Sequence, residues 1–578
     1  MVVVGINMGV TQSGMKLNDG GCCLIKDNKI YAIAEERISR KKNDGGYKLS
    51  LPYCMDAANV SYEEIDYVVI SSCCEKTLSI KPVIENIPDE KIIICPSHHL
   101  SHAYSTFMTS NFDEAIIMVI DNEGNIIDDC DDLPFHQRSL EHMTYYIGNK
   151  TGIHLLEKDN VPTNKIGVGD AYRYFTHYLG FPSYTYAGKT MGLASYGDKD
   201  KYEDVKIFEL NHGHFRCEID NDYFNCAEMV NKFLKENCKQ SYPTKRLPID
   251  DLSKEHADLA MLIQRETEQI LVEKAKYLVN KTGIKRLCIA GGVGLNSVAN
   301  AAILNKTDIE EIYIVPAAGD SGQCLGNALY GYCKNEGHEK HYSINNSYLG
   351  KEYSENDICD AVKKFQKTHV NYEIYYFENK AEQNKVIAHK ISDGEVLCNF
   401  DGRSEFGPRA LGNRSILMDP RKAENKDILN SRVKFREAFR PFAPVVLWEN
   451  AKEYFDISKE TPYMLIVADV IKPEKIPAVT HVDNSARVQT IKRVDNPKLY
   501  GIIEEFKKIT GVPVLLNTSF NIAGEPMVER PEDALSCFEK TDIDSIAIGK
   551  FIISKKEKNI MTEFDAIVKF TIDLGKNL

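Results

Sequence analysis

The sequence predicts an α/β protein, and three features predict it. Short apolar runs of central-strand length recur early in the chain, at 67–71 (YVVIS), 91–95 (KIIIC) and 115–120 (AIIMVI). A long amphipathic segment, 254–280, leads directly into a strand and a glycine-rich turn, RLCIA then GGVGLN. Alternating strands and helices of this kind are what a helix-covered, layered sheet requires. The chain has 578 residues, too many for one core at roughly 150 residues per unit.

The elements follow in order. Residues 2–6, VVVGI, read as a buried strand that turns at Gly9. GCCLIKDNKIYAIAEER reads as a hairpin, two β-rich runs about Asp27-Asn28. Helical stretches are expected between the later strands. In 254–280, Ala257, Ala260, Met261, Ile270, Leu271 and Ala275 recur near i, i+3, i+4, with Gln264 the polar exception. Two halves each open on a strand and a Gly-containing turn, at 1–9 and 115–124. That repetition points to a duplicated ribonuclease-H-like (actin-like ATPase) fold with a nucleotide cleft between its halves. A polar Tyr/Asn/Ser-rich stretch at 340–360 marks a boundary between domains 1–350 and 351–578. The second is read as a separate α/β domain with short strands such as GVPVLLN. The acidic run DDCDD at 128–132 reads as a solvated loop.

Composition narrows the function. The formal charge of −13 argues against a nucleic-acid partner, which would demand a basic face. A local arginine cluster can still hold a small anion in an acidic protein. The 16 cysteines include no C-x-x-C, and Cys95 and Cys288 sit in apolar runs. Such thiols suit a reducing compartment, and a cytoplasmic location is expected. MVVVGINMG lacks a basic leader and no run approaches about 18 apolar residues, so neither a signal peptide nor a membrane span is expected.

Several motifs carry chemistry. In PSHHLSHAYSTF (96–107), Ser97 after Pro96 is a helix N-cap. His98 and His102 are then i, i+4 on one face, with His99 about 100° away. They read either as ordinary hydrogen-bonded histidines or as a metal pair, the logic of H-E-x-x-H. Asp121 closes AIIMVID, and Asp320 follows YIVPAAG; each is at a strand end beside glycine, as a turn cap or a ligand. Two histidines with one or two aspartates match iron(II), manganese or zinc. In AGGVGLN (290–296), Gly291 and Gly292 let backbone N–H groups approach a phosphate or sugar, though G-x-G-x-x-G is absent. FDGRSEFGPRALGNRSIL (400–417) carries Arg403, Arg409 and Arg414; KFREAFRPFAP carries Lys434, Arg436 and Arg440; HVDNSARVQT carries His481 and Arg487. These form either a salt-bridged surface or an inward anion pocket, and the adjacent Phe406, Phe439 and Phe442 favour the pocket. LLNTSFNIAGEP adds Asn517, Ser519 and Asn521 as donors.

Together these blocks resemble the NodU/CmcH/TobZ family of O-carbamoyltransferases. The resemblance rests on EER (35–37), HHLSHA (98–103), AGKTMGLASYG (187–197), AGGVGLN, PAAGDSGQCLG (316–326) and the four second-half blocks, in order along nearly the whole chain. It implies a TsaD-like carbamoyl-transfer domain followed by a YrdC-like, carbamoyladenylate-forming domain. The implied substrates are carbamoyl phosphate, ATP with Mg, and a small natural-product-type acceptor, such as an antibiotic precursor, with a hydroxyl or amine; monomer and homodimer both stay open. By motif, His98, His102, Asp121 and Asp320 are implied as ligands of a divalent metal, iron(II) first, with manganese and zinc as alternatives. Lys189, Gly291, Gly292, Asn296 and Asp320 are implied for the nucleotide. Arg403, Arg409, Arg414, Arg440, Arg487, Asn517 and Ser519 are implied for carbamoyl phosphate. Asn18, Asp19, Arg409 and Arg440 are the implied catalytic positions.

Three departures fall on the transfer side. Asn18, in LNDGGC, stands where the family has histidine; the loop GVTQSGMK before it differs; Ala187 stands in place of a glutamate. An asparagine accepts no proton at neutral pH. The expectation is therefore an ATP-dependent carbamoyltransferase, with two alternatives. One is a carbamoyladenylate-forming enzyme with a non-standard acceptor or altered second step. The other is a nucleotide-binding regulator without turnover, against which the full set of arginines argues.

Overall fold

A computed structural model describes residues 1–9, 18–71, 73, 82–126, 139–162, 164–182, 184–222, 224–337, 344, 346–437 and 439–556. DDCDD and most of GVTQSGMK lie outside these. The chain divides into two compact units, one built mainly from Met1–Ser39 and Asn43–Ile344, the other mainly from Asn345–Met464 and Ala468–Leu578.

The first unit begins with β1 (Val2–Asn7), β2 (Gly21–Lys26), β3 (Lys29–Ala34), α1 (Glu35–Ser39), α2 (Ser50–Ala58), β4 (Tyr67–Ser71) and β5 (Ile92–Ile94). Next come α3 (His98–Phe107), β6 (Ala115–Ile120), β7 (Ser139–Asn149), β8 (Gly152–Pro162), α4 (Val168–Tyr178) and α5 (Ala187–Ala194). It continues through β9 (Phe208–Asn211), β10 (His214–Cys217), α6 (Cys226–Asn237), α7 (Lys254–Thr282), β11 (Arg286–Ala290), α8 (Ser297–Lys306), β12 (Glu311–Ile314) and α9 (Gln323–Glu336).

Two five-stranded sheets share one topology. The first runs β3-β2-β1-β4-β5 and the second β8-β7-β6-β11-β12. In each, three antiparallel strands are joined through the first of them to two parallel ones. The first strands, β1 and β6, are buried along their whole length, which is why both read as continuous apolar runs. Asp27 and Asn28 turn the β2–β3 hairpin at φ 51° and 62°, a left-handed geometry that Asp and Asn tolerate best after glycine. Helix α7 ends where Gly283 takes φ 74°.

The two sheets face helices that pack on each other. Helix α9 lies on β1, β2 and β4, α3 lies on β6, β7 and β11, and α3 packs against α9. The contact is backbone to backbone: a Cβ on Gly326 would meet the Ser101 carbonyl oxygen at 1.9 Å. Asn327 Nδ2 donates to the Ile6 carbonyl and to Ser71 Oγ, both at 2.9 Å, fixing α9 to β1 and β4.

Two sequence expectations differ from the fold. Among the described residues, no α-helix separates β4 from β5, only a 3₁₀ turn at Asp89–Lys91. The eleven-residue strands β7 and β8 were not anticipated. Buried Glu141, His142 and Thr144 interrupt the apolar pattern, and a bulge between Glu141 and Met143 breaks the alternation.

The second unit has an eight-stranded mixed sheet in the order β13 (Tyr372–Tyr376), β22 (Phe551–Lys555), β21 (Ser545–Ile548), β14 (Leu397–Phe400), β15 (Arg414–Met418), β20 (Val514–Ser519), β16 (Ala443–Leu447) and β19 (Gln489–Ile491). A short pair, β17 (Val467–Asp469) and β18 (Ser485–Arg487), stands apart. The helices are α10 (Glu355–Thr368), α11 (Lys380–Ser392), α12 (Glu424–Leu429), α13 (Ala451–Tyr454), α14 (Pro497–Thr510) and α15 (Pro531–Lys540). Ile387, Leu397, Ile416, Leu515 and Ile546 are fully buried in one continuous core.

Gly326→Ala tests the α3–α9 contact. The added methyl must push the helices apart, and we expect a loss of about 1–3 kcal/mol, read from the midpoint of chemical denaturation.

Candidate active site

The first centre forms where α3 meets α9. Ser97 Oγ accepts the Leu100 N–H at 3.1 Å and starts α3. His98 and His102, buried to 2% and 0% exposure, then project from one face. Asp121 follows β6 directly. Asp320 lies in the 3₁₀ turn Asp320–Gly322 that begins α9, beyond the end of β12 rather than on it.

One atom from each of His98, His102, Asp121 and Asp320 lies within 4.8 Å of the others. His98 Nε2 is 3.3 Å from Asp320 Oδ1 and 3.7 Å from Asp121 Oδ2; His102 Nε2 is 3.0 Å from Asp121 Oδ2 and 3.5 Å from Asp320 Oδ1. These are the separations of ligand pairs around one ion at about 2.0–2.2 Å. All four atoms are buried and make no well-formed hydrogen bond to the described residues, so the donor set fits a divalent metal. The second oxygen of Asp121 accepts from the Asn122 and Gly292 N–H groups at 2.8 and 3.1 Å, which fixes the rotamer. Burial disfavours charged imidazoles, but facing carboxylates outweigh it. They hold His98 well above the usual histidine range, and His102 above it.

The glycine turn adjoins this cluster. Gly291 has φ 89°, and a Cβ there would lie 2.2 Å from the Ile120 carbonyl oxygen. Asn296 caps α8 by accepting from the Ala299 N–H, and it exchanges amide hydrogen bonds with Gln264 at 3.0 and 3.2 Å. Buried Gln264 also accepts from the Tyr172 hydroxyl at 2.8 Å. The polar exception on the apolar face of α7 is thus what orients Asn296. Lys189, on α5, sits over the Tyr186 ring at 4.2 Å and the Phe181 ring at 5.4 Å. Ala187 is the first residue of α5.

Asn18 is exposed, and Asp19 beside it has φ 63°. The Asn7 side-chain amide donates to the carbonyls of both Asp19 and Asp320 at 2.8 Å, placing Asp19 at the metal-ligand turn. Burial and the Asp320 charge push the Asp19 carboxyl up to about 7.

The second unit gathers cations. Lys434 ends a π-helical turn, Asn430–Lys434. Its ammonium donates to the Ser519 carbonyl and hydroxyl and to the carbonyl and amide oxygens of Asn521. Half-buried Arg487 feels the charges of half-buried Arg409 and Arg436, and Arg440 acts on all three. Burial first, and neighbouring arginines next, push Arg409 down to about 10, Arg436 to about 9 and Arg487 well below its usual range. The same causes push Lys434 down to about 7. Among the described residues Glu437 is the one carboxylate acting on these groups, on Arg436, while the Cys537 and Cys398 thiols act on Lys434. Converging cations with so little countercharge favour an anionic ligand.

Arg403 and Arg414 are engaged differently. Arg403 donates to the carbonyls of Gly350 and Leu349 at 2.7 and 2.9 Å. Arg414 has no exposed surface, donates to the carbonyls of Asp401, Asn413 and Gly402, and stacks 3.7 Å from the Phe400 ring. Both brace the loop between β14 and β15, as does buried Glu405, whose Oε1 accepts the N–H groups of Leu411, Asn413 and Arg414. Asn517 donates to the Ala410 carbonyl and to Gln489, and Ser519 donates to Asn521 at 2.6 Å.

The motif assignment omitted Lys434 and Arg436, although both flank the same phenylalanine in KFREAF. It also omitted Glu141, His142 and Asp170. His142 Nδ1 and Asp170 Oδ2, both buried, lie 3.5 Å apart, with Arg173 3.0 Å from the same carboxylate. No local spacing links them; only β7 and α4 packing together does.

This α/β protein thus carries in one unit a largely buried group of two histidines and two aspartates that could hold a metal ion, and in the other a cluster of cations. Residues 84–329 match the model of the carbamoyltransferase N-terminus and residues 388–555 that of the carbamoyltransferase C-terminus. The nodulation protein NolNO of Sinorhizobium fredii is 33% identical over 93% of this chain and 79% of its own. The 3'-hydroxymethylcephem-O-carbamoyltransferase of Streptomyces clavuligerus is 29% identical over 64% of this chain and 65% of its own. Full-length HypF in its phosphate- and nucleotide-bound form aligns with 58% of this chain and 56% of its own at 11% identity and a TM-score of 0.34, too slight a likeness to define the fold. The chain belongs to the carbamoyltransferase family and is a transferase enzyme. Among the described residues no helix is long and apolar enough to cross a membrane.

Arg414→Ala separates bracing from binding. Three carbonyls lose a donor and a fully buried side chain leaves a cavity against Phe400, and we expect a loss of about 3–5 kcal/mol in denaturant unfolding. An unchanged midpoint would contradict the bracing role.

Proposed function

We propose that this enzyme makes carbamoyladenylate from carbamoyl phosphate and ATP and passes the carbamoyl group to a small acceptor. The observation that carries this reading is the cluster of Lys434, Arg409, Arg436, Arg440 and Arg487. In this reading the second unit is the YrdC-like domain. There, water splits carbamoyl phosphate into carbamate and phosphate, a carbamate oxygen attacks the α-phosphorus of ATP, and pyrophosphate leaves. The arginines stabilise charge on the departing phosphate. Arg403 and Arg414 hold the loop that presents Arg409, and Asn517 and Ser519 connect that loop and Lys434 to β20.

The first unit, in this reading, is the TsaD-like, actin-like ATPase fold, and its glycine turn with Asn296 and Lys189 receives the nucleotide. His98, His102, Asp121 and Asp320 hold the metal, iron(II) by family resemblance, with manganese or zinc as alternatives. When bound, such an ion neutralises charge on the adenylate phosphate. The acceptor then attacks the carbamoyl carbon and AMP leaves.

Asn18 favours a second reading of this last step. Its amide takes no proton, so the acceptor is an amine that needs no base, or Asp19, titrating near neutrality, receives the proton. Incubation with ATP, carbamoyl phosphate, Mg and iron(II) is expected to release pyrophosphate. No release with any acceptor would end the adenylation reading. Pyrophosphate release without transfer to hydroxyl acceptors, with transfer gained by Asn18→His, would support the altered second step.

Lys434 predicts a pH dependence. Its free-state value of about 7 rises when an anion binds beside it, so binding takes up a proton. Sulfate, which does not titrate near neutrality, should bind with constant affinity below pH 7. Its affinity should weaken steadily as the pH rises above 7, and Lys434→Met should abolish that slope in calorimetric titrations.

A further inference from the structure

We propose that Glu141 is a positioning residue that sets the histidine helix against Asp121, with the β7 bulge as the device that aims it. The inference rests on the metal-site reading above and adds residues that the resemblance did not include.

The argument starts from strand geometry. Along a regular strand, residues three apart point to opposite faces. Glu141 pairs with Asn160 and Met143 with Asp159, so His142 is an extra residue in β7. That insertion turns Glu141 and Thr144 to the same side, toward α3. Glu141 Oε2 accepts the His99 N–H at 3.4 Å, and Thr144 Oγ1 bonds His99 Nδ1 at 2.7 Å. The extra residue itself faces α4, since a Cβ on Gly167 would lie 2.7 Å from His142 Nδ1. Its carbonyl accepts the Asp121 N–H at 3.0 Å.

Glu141 is buried to 3% exposure and fully used. Oε1 accepts from the Ser97 hydroxyl at 2.7 Å and from Lys158 at 3.1 Å; Oε2 accepts from the His99 and Asn125 N–H groups at 3.4 and 3.2 Å. Asn125 completes the joint: its Oδ1 accepts the His98 N–H at 2.7 Å, and its backbone exchanges hydrogen bonds with Glu141 and holds the loop after Asp121. One carboxylate therefore meets both segments that supply the first three ligands, the start of α3 and the loop beyond β6. His99, set aside from the ligand face by spacing, becomes the residue through which β7 grips the helix. A ligand displaced by a fraction of an ångström loses bond strength steeply, and outer partners of metal ligands are typically worth about 10–100-fold in metal affinity.

The test measures metal binding to the full-length chain stripped of metal, with cobalt(II) as the probe. Glu141→Gln keeps size and shape but replaces two acceptor positions with donors. We expect its cobalt(II) affinity to fall about 10–100-fold and its visible d–d spectrum to change, in metal-free protein shown by circular dichroism to remain folded at the assay temperature. Lys158→Met, on the far side of the carboxylate, should leave both affinity and spectrum unchanged. Should Glu141→Gln fail to fold, Asn125→Asp is scored by the same two readouts. Parental affinity and spectrum in the folded variant would overturn the inference. His102→Ala distinguishes its failure from failure of the metal reading: if that variant also binds cobalt(II) like the parent, the four-ligand site itself is wrong.

Discussion

The contact of α3 with α9 sets the distances from Asp320 to the two imidazoles of the first centre. Gly326 lets the two backbones touch, Ser101 Oγ bonds the Gln323 carbonyl, and Gln323 Nε2 bonds the His98 carbonyl at 2.9 Å. Asp320 begins the same helix, so the separation of the helices is the separation of Asp320 from the imidazoles. A larger residue at 326 would move a ligand without touching the ligands themselves.

The two centres show opposite electrostatic problems with a shared logic. In the first unit, two carboxylates face two imidazoles, and burial is offset within the cluster. In the second, cations face cations, and burial with neighbouring arginines pushes Arg409, Arg436, Arg487 and Lys434 below their usual ranges. The arginines differ in their surroundings: Arg403 and Arg414 donate to loop carbonyls, whereas Arg409, Arg436 and Arg487 are pushed down by burial and by neighbouring arginines.

Much of the first unit was legible. VVVGI, AIIMVI and the Asp27-Asn28 hairpin carry their structure in local pattern, and Ser97 announces α3. The i, i+4 histidines and the aspartates beside glycine were visible as candidates, and the resemblance joined His98, His102, Asp121 and Asp320 into the one group that the structure brings together. The β7–β8 hairpin was not legible, because β7 buries polar side chains and changes phase at His142. Periodicity finds faces, and a bulge exchanges faces halfway along. Lys434 and Arg436 stood out in KFREAFRPFAP as candidate anion-pocket residues, but the motif resemblance did not carry them into the site. The partners of Asn517 and Glu405 are set by loop closure, which no short window of sequence contains.

The ligands are far apart along the chain. His98, His102 and Asp121 emerge from the ribosome nearly 200 residues before Asp320. The strand β1 likewise waits for Asn327, on α9, to bond its Ile6 carbonyl. Contacts this distant are slow to form, since closure of the intervening loop precedes any gain. The nascent first half thus carries two imidazoles and a carboxylate before their fourth partner exists. On the proposed metal reading, capture waits for the arrival of α9 rather than for the making of the histidine helix.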